Sequence, residues 1–299
     1  MKWQMYQLRF RLLSPLHVGR SKVGNIQFTR PYVMARQMWA SVTARLTRSA
    51  QYGEWKPPDD VLIGDYETMG ERVKEYLAFT YFYPEDESGK PLFPLFTDEG
   101  LRYGADKLTA EAFAWRYLNS YASTALNYEI KSAEEGTLHE IEFLAPHTRQ
   151  DDELGIHEVF LTGYVFVKLD CVFSWKAALK EIQIGGERKS GWGRMRLCGE
   201  PVETEPKLFD LAESDLESER PKAKKIESGK PLLAHTRIDK SREVEAGDIE
   251  PLVSRTWEKD KGAGQQIELL AVCYSPGSVL KQPQDGRFQF CENNIWAVV

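Results

Sequence analysis

The chain has 299 residues, of which 42% are hydrophobic and 28% charged, with a net charge of −6. This composition is that of a globular protein, and the length suits one large domain or two modest ones. No apolar run reaches the length of a membrane span, and residues 1–13 alternate in polarity rather than forming a signal-peptide core, so we expect a cytoplasmic protein.

The first predicted elements are a strand, a loop and a helix. Lys2–Leu13 alternates as a strand does, with Tyr6, Leu8, Phe10 and Leu12 on one face. Leu16–Pro31 is predicted to be a loop. Residues 33–48 show helical spacing, with Met34, Met38, Val42 and Leu46 forming one stripe.

The next segment, residues 54–110, mixes turns with prolines and aromatic residues and is predicted to be an insertion. A helix is then predicted at Glu111–Ser120, followed by strands at 136–144 and 157–170, the second of them central. A short helix at Trp175–Gln183, a glycine-rich turn and a closing strand at Arg194–Cys198 complete the series.

This order predicts an α+β fold with an RRM-like (ferredoxin-like) domain over residues 1–199, carrying its insertion at about 54–110. Residues 200–230 are rich in charge and are predicted to be a linker or hairpin. Residues 231–299, with strands expected at 267–274 and 287–298, form a C-terminal extension that completes the sheet. This extension is predicted to be a degenerate second RRM-like half or a β-rich part.

The charge of the chain is distributed unevenly. Residues 1–53 contain nine Lys and Arg residues and no Asp or Glu, so the rest of the chain carries −15. A net charge of −6 alone disfavours a nucleic-acid partner, but a strongly basic segment attracts phosphate even on an acidic protein. The distribution therefore favours a polyanionic ligand bound near the N-terminal segment.

The first motif is SPLHVGRSKVGN, residues 14–25, directly after the first strand. A basic loop that contains glycine brings backbone amides and the side chains of Arg20 and Lys22 close to phosphates. His17 either binds a phosphate or base, or satisfies a backbone carbonyl. Gly19 allows close approach of the main chain.

The second and more specific motif is IGGERKSGWGRMRL, residues 184–197. Its glycines allow positive φ and close approach to a polyanion, its cations neutralise phosphate, and its tryptophan offers a face for base stacking. The predicted binding residues of this loop are Gly185, Gly186, Arg188, Lys189, Gly191, Trp192, Gly193 and Arg194. Arg30 and Arg36 of the basic segment are added to the predicted RNA-binding set, and Tyr32 is a second candidate for stacking.

Together, SPLHVG after a first strand, the helix start PYVMARQMWASVTARL and GGERKSGWGRMRL resemble the RAMP superfamily of CRISPR-associated proteins. The resemblance covers about the first 200 residues. Met34-Ala35 stands where the family usually has Pro-Gly. The resemblance implies binding of guide RNA (crRNA) within an effector complex, with the large subunit and backbone RAMP subunits as partners.

Three roles within that family remain open. The loop forms, together with YSPGSVL at 274–280, are closest to the type III capping subunit that holds the 5′ repeat-derived handle of the guide. A non-cleaving backbone subunit is the second candidate, since residues 16–36 lack the carboxylate that a metal-assisted cut of target RNA needs. A guide-processing endoribonuclease would instead use His17, Lys22 and Tyr32 for general acid–base chemistry. We expect a non-catalytic subunit.

The cysteines support no metal site. Cys171, Cys198, Cys273 and Cys291 form no C-x-x-C pair and have no histidine at ligand spacing, so no metal, disulfide or cofactor is predicted. A generic RNA-binding protein remains an alternative, although the strand at 159–169 lacks the aromatic signature of RNA-binding RRM domains. A metabolic enzyme is less favoured, because no phosphate-loop, dinucleotide or triad motif is present.

Overall fold

The structure is a computed structural model that describes residues 2–151, 154–226, 229–238, 244–258, 262–281, 288–290 and 295–298. Up to residue 197 the elements are β1 (Trp3–Leu12), β2 (Gly19–Val23), β3 (Ile26–Thr29), α1 (Ala35–Gln51), α2 (Tyr66–Tyr76), β4 (Leu77–Phe79), β5 (Tyr83–Pro84), β6 (Pro94–Thr97), β7 (Gly100–Tyr103), β8 (Leu108–Thr109), α3 (Ala110–Tyr117), β9 (Leu118–Ser123), β10 (Leu126–Asn127), β11 (Ser132–Ala133), β12 (His139–Leu144), β13 (Phe160–Lys168), α4 (Trp175–Leu179), β14 (Glu181–Gln183) and β15 (Arg194–Leu197). The later strands are β16 (Val202–Glu203), β17 (Lys207–Leu208), β18 (Ala212–Asp215), β19 (Lys222–Ile226), β20 (Thr236–Arg237), β21 (Val244–Ala246), β22 (Ile249–Glu258), β23 (Gly262–Tyr274), β24 (Val279–Leu280), β25 (Phe288–Phe290) and β26 (Trp296–Val298). The fold is mixed α/β with several sheets.

The main sheet has the strand order β14-β15-β1-β13-β4, and each neighbouring pair is antiparallel. Helices α1, α2 and α4 contact one another or this sheet. Residues 161–167 of β13 are all buried, as expected of a central strand covered on both faces. The predicted strands at the start of the chain and at 157–170, and the predicted helix at 33–48, are confirmed by β1, β13 and α1.

Strand β1 is buried on both faces at its beginning. Tyr6 lies against Trp175 of α4, with ring centroids 5.1 Å apart, so the face of Leu8 and Phe10 is the helix side. Trp3 and Met5 point the other way and are nevertheless buried. Trp3 Nε1 donates a hydrogen bond to the carbonyl of Ser218, which shows that a later segment covers this end of the strand.

Two predictions for the first 110 residues were wrong. The predicted loop at 16–31 contains the antiparallel hairpin β2–β3, and β3 pairs in parallel with β12 in a second sheet of order β2-β3-β12-β9. The predicted insertion at 54–110 supplies β4, the edge strand of the main sheet. Phe79, Phe82 and Tyr83 from this segment are fully buried, so it contributes to the core.

A C-terminal sheet of order β17-β18-β19-β25-β26-β20-β23-β22 lies against the second face of the main sheet. Phe209 packs on Tyr164 of β13, and the Tyr83 hydroxyl donates to the carbonyl of Leu233 over 2.7 Å. The charged segment at 200–230 contains the hairpin β18–β19, whose buried Ala212 and Ala223 face the core. The predicted strand at 267–274 lies within β23; the one at 287–298 is described only at β25 and β26.

Candidate nucleic-acid interface

The two predicted motifs lie against each other, although about 170 residues separate them in sequence. Antiparallel pairing of β1 with β15 brings the loop after β1 to the loop before β15. The amide of Gly186 donates to the His17 carbonyl over 2.8 Å, and the amide of Gly193 donates to the Pro15 carbonyl over 2.7 Å. The amide of Arg194 donates to Ser14 Oγ over 2.9 Å. The loops therefore form one continuous structure.

Two glycines of the second loop are required by close backbone contacts, one with the first loop and one within the second loop itself. Gly185 has φ +81°, and a Cβ there would lie 2.3 Å from the carbonyl oxygen of His17. Gly193 has φ +77°, and a Cβ there would lie 1.7 Å from the carbonyl oxygen of Ile184. No side chain fits either position without moving backbone. Gly191 also has positive φ, +84°, but stands in open space at the end of the 3₁₀ turn Arg188–Ser190.

The imidazole of His17 is buried beneath these glycines. Its Nδ1 lies 2.7 Å from the carbonyl oxygen of Glu142 on β12, which makes Nδ1 the protonated donor nitrogen. Gly186 contacts the same ring, since a Cβ there would lie 3.0 Å from His17 Cδ2. This hydrogen bond is the backbone-carbonyl role considered from sequence, and a phosphate or base contact of His17 stays a prediction. Gly19 follows at the exposed start of β2.

Five of the predicted binding cations on the two loops are exposed: Arg20, Lys22, Arg188, Lys189 and Arg194. We call them the loop surface. Arg194 pairs with Glu181 over 2.6 Å, whereas the other four make no ion pair with any residue in the described part of the chain. Because no carboxylate of the described residues pairs with them, these four charges are available to an anionic ligand.

Trp192 is half-buried and packs against the second sheet. Its ring lies 5.0 Å from that of Phe143 on β12 and 6.3 Å from that of Tyr121 on β9. Tyr121 is 57% exposed, so the Trp192–Tyr121 pair presents aromatic surface to solvent. Tyr121 is not recognisable as a candidate from the sequence, because its strand shows no motif.

Arg30, predicted to bind RNA, lies apart from the loop surface. It is 5% exposed, and its two terminal nitrogens donate to the carboxylate of Glu250 over 2.8 and 3.1 Å. Its charge is therefore neutralised within the protein, and we leave it out of the proposed RNA-contacting set. Tyr32, the second candidate for stacking, is also buried, and its hydroxyl accepts a hydrogen bond from Arg30.

Arg30 belongs to what we call the buried cluster: Arg30, Tyr81, His235 and Glu250. His235 is fully buried, its Nδ1 is 2.7 Å from the Tyr81 hydroxyl, and its Nε2 is 2.5 Å from Glu250. A neutral imidazole that accepts from Tyr81 and donates to Glu250 satisfies both contacts. Burial lowers the pKa of His235. Burial alone would raise the pKa of Glu250, but hydrogen bonds from His235 and Arg30 lower it to about 2.

Arg36 is half-buried at the start of α1. Burial lowers the pKa of its guanidinium, and the nearby Glu268 and Tyr66 partly oppose that shift. The helix carries two further arginines, Arg45 and Arg48, that no motif singled out. Both are exposed and line an open groove together with Arg188 and Arg194. Only their basic charge marked them in the sequence.

The described residues contain no group of three or more His, Cys, Asp or Glu side chains placed to hold a metal ion. Among those same residues, none of the helices has the length and apolar character that a transmembrane span requires.

Comparison with protein-family models finds no match, and comparison with curated proteins finds none either. Solved structures do resemble the chain. One match is a chain in the cryo-EM structure of the type III-B Cmr-beta bound to cognate target RNA and AMPPnP, with a TM-score of 0.56 at 12% identity. It covers 92% of this chain and 86% of that chain. A second, in the cryo-EM structure of the type III-B Cmr-beta bound to cognate target RNA, has a TM-score of 0.54 at 11% identity and the same coverage. At these identities the likeness concerns the fold.

Proposed function

We propose that this chain is a non-catalytic, RNA-binding subunit of a type III CRISPR effector complex and holds the repeat-derived 5′ handle of the guide RNA. The observation that carries the proposal is the docking of the two loops, which presents around glycine-rich backbone four cations that form no ion pair with the described residues. Phosphate groups are recognised by this combination of exposed cations and approachable main chain.

The main sheet supports an RRM-like assignment. Strands β1, β4, β13 and β15 follow the chain order and the sheet order of a split β-α-β unit, with α1 after the first strand and α4 before the last. The fold likeness to chains of Cmr-beta extends over 92% of this protein, which includes the C-terminal sheet as well as the RRM-like part. Both observations fit the RAMP resemblance of the sequence.

Two observations favour a binding role over the guide-processing alternative. The hydroxyl of Tyr32 is buried against Arg30, and the ring of His17 is buried against the Glu142 carbonyl. Lys22 is exposed on β2. A general acid or base must reach the proton it transfers, so these three residues form no shared exposed site in this arrangement. The two remaining roles differ in the part of the guide RNA that they bind. A backbone subunit binds the spacer, whereas the capping subunit binds the handle.

The proposal is tested by fluorescence anisotropy of the purified chain with a labelled guide RNA at several salt concentrations. The triple substitution Arg20→Ala, Lys22→Ala and Lys189→Ala is expected to weaken binding. In a plot of log binding constant against log salt concentration, each lost contact to single-stranded RNA makes the slope shallower by roughly 0.7. Loss of all three contacts should therefore make the slope shallower by about 2. The matched control replaces Lys90, Lys207 and Lys230, in other parts of the chain, with alanine.

An unchanged slope in the loop variant, or an equal change in the control, would contradict the placement of the interface. The choice of handle over spacer is tested with two RNAs of equal length, one carrying the repeat-derived 5′ end and the other a scrambled 5′ end. The capping role requires tighter binding of the first RNA, and equal affinities contradict it.

A further inference from the structure

A groove lies beside the loop surface, between helix α1 and the β14–β15 edge of the main sheet. It is open to solvent and has a volume of about 290 Å³. Helix α1 contributes Ser41, Arg45 and Arg48 to its wall, and β14 contributes Glu181 and Gln183. Arg188 and Arg194 close it from the side of the glycine-rich loop. Of the residues that line it, Arg188 and Arg194 were predicted from sequence as binding residues, whereas those of α1 and β14 were not.

The groove carries an excess of positive charge. Four arginines line it against one carboxylate, Glu181, among the described lining residues. Glu181 pairs with Arg194 over 2.6 Å and with Arg196 over 3.6 Å, and the hydrogen bond from Arg194 lowers its pKa. Arg45, Arg48 and Arg188 line the groove and form no ion pair with described residues, so no carboxylate of the described chain offsets their charge by direct pairing.

The arrangement of these residues is not explained by α1 alone. Arg45 and Arg48 are three residues apart and thus lie on one face of the helix. The helix dipole favours a cation in the last turn, which accounts for Arg48. It does not account for Arg45, which is a turn earlier, or for Arg188, which comes from a loop about 140 residues later in the sequence.

Gln183 connects the groove rigidly to the glycine-rich loop. Its Nε2 donates to the carbonyl of Arg188 and to the carbonyl of Trp192, each over 2.9 Å. The side chain that forms part of the groove wall therefore also holds the backbone of the loop that carries Arg188. An anion in the groove would consequently be bound next to any strand held by the loop surface.

We propose that this groove binds one phosphate group of the RNA strand that crosses the loop surface, an inference that rests on the proposed function. Guanidinium groups pair with phosphate oxygens in a bidentate geometry, and Arg45, Arg48 and Arg188 supply three such donors from two elements. The same chemistry accepts a free phosphate ion, so the test includes inorganic phosphate as a second probe.

The test compares the full chain with the variant Arg45→Gln/Arg48→Gln in RNA binding at several salt concentrations. Affinity is expected to fall about tenfold, since hydrogen bonds between charged groups are being lost, and the salt slope to fall by roughly 0.7. Lys90→Gln/Lys207→Gln removes the same charge from other parts of the chain and should leave both values unchanged. Melting curves establish that each variant is folded.

The variant Glu181→Gln tests the same site with the opposite sign. It removes the carboxylate of the groove and frees Arg194, so RNA affinity should rise by about threefold. A purely structural role of Glu181 would not produce this rise in affinity. This variant keeps the inference testable if the arginine double variant does not fold. Unchanged or weaker binding by Glu181→Gln contradicts the site.

The outcomes separate the inference from the proposed function. If the loop variant weakens RNA binding while Arg45→Gln/Arg48→Gln behaves like the lysine control, the groove is not a phosphate site and the proposed function stands. If the unmodified chain binds no RNA, the proposed function fails. In that case, inorganic phosphate could still raise the melting temperature of the unmodified chain and leave that of Arg45→Gln/Arg48→Gln unchanged. This result would overturn the assignment to RNA and identify free phosphate as the ligand.

Discussion

The loop surface and the buried cluster use cations from the same acid-free N-terminal segment in opposite ways. Arg20 and Lys22 are exposed on a hairpin and have no carboxylate partner among the described residues, whereas Arg30 is buried against Glu250. The difference is made by the tertiary structure, because Glu250 lies 220 residues away in sequence. Local charge thus indicates that a polyanion is a candidate partner, but the folded neighbourhood decides which cations remain available to it.

The two regions are also held rigid in different ways. The loop surface is positioned by glycine backbone packed against carbonyl groups, with no room for a Cβ at Gly185 or Gly193. The buried cluster is positioned by side-chain hydrogen bonds that connect the N-terminal segment to the C-terminal sheet. Substitutions can therefore disturb one region and leave the other intact.

The largest effect is expected from Gly193→Ala. Positive φ and a carbonyl oxygen 1.7 Å from the new Cβ require the β14–β15 connection to refold, so the free energy of unfolding should fall by about 4 kcal/mol. RNA binding should be lost with it. Gly191→Ala has a similar φ but open space, and should cost about 1 kcal/mol. Urea unfolding measures both, and equal effects would contradict the close-contact explanation.

The next effect is expected from Arg30→Met, which leaves Glu250 without its cation. Breaking a buried ion pair on one side typically costs about 3 kcal/mol in the free energy of unfolding. The affinity of the folded fraction for RNA should not change. Arg20→Ala should show the reverse. Its free energy of unfolding should change by no more than about 0.5 kcal/mol, while the salt dependence of its RNA binding should become weaker. Loss of RNA affinity in stable Arg30→Met would place Arg30 back in the interface.

A smaller effect on the free energy of unfolding is expected when the pH is lowered. The pKa of Glu250 is depressed from 4.5 to about 2 in the folded chain, so its stabilising contribution is complete above pH 4.5 and is lost as pH falls towards 2. His235 has a lowered pKa because it is buried; below about pH 6.5 the unfolded chain takes up a proton that the folded chain resists. Both groups therefore make stability fall with falling pH.

This linkage is measured by urea unfolding between pH 7 and pH 3 in the unmodified chain and in Glu250→Gln. The variant should be less stable at pH 7 and should lose less further stability between pH 5 and pH 3, because it lacks the depressed carboxyl group. Parallel pH profiles of the two proteins would show that Glu250 is not the group responsible.

The smallest effect is expected from Trp192→Ala. If a base stacks on the exposed aromatic surface, RNA affinity should fall by about 1 kcal/mol, the lower end of the range for base stacking, because Trp192 is already partly covered by Phe143. The control is Trp115→Ala on α3, an exposed tryptophan of another element. Equal RNA affinity of the two variants would exclude Trp192 from the interface.

The sequence predicts those elements of the fold whose hydrophobic pattern is long. Strand β1 and helix α1 show a clear hydrophobic period, β13 is a long and largely apolar run, and all three are confirmed. The hairpin β2–β3 was missed because GRSKV is exposed at every position and has no apolar alternation. Strand β4 was missed because it has three residues, too few for a period to be detected.

For the candidate site, sequence identifies the glycine-rich motif and the loop after β1 but not their contact. That contact depends on the pairing of β1 with β15, which a local pattern does not encode. Arg20 and Arg30 look equivalent in sequence, since both lie in the same acid-free segment. The partner that distinguishes them, Glu250, becomes a neighbour of Arg30 only through the C-terminal sheet.

The proposed function is tested most directly by purifying the tagged protein from its native host and sequencing the RNA bound to it. The proposed function predicts short RNAs that share a repeat-derived 5′ end, recovered together with other effector subunits. The loop variant Arg20→Ala/Lys22→Ala/Lys189→Ala should recover less of this RNA. Diverse cellular RNAs, or no RNA, from the unmodified protein would contradict the proposed function.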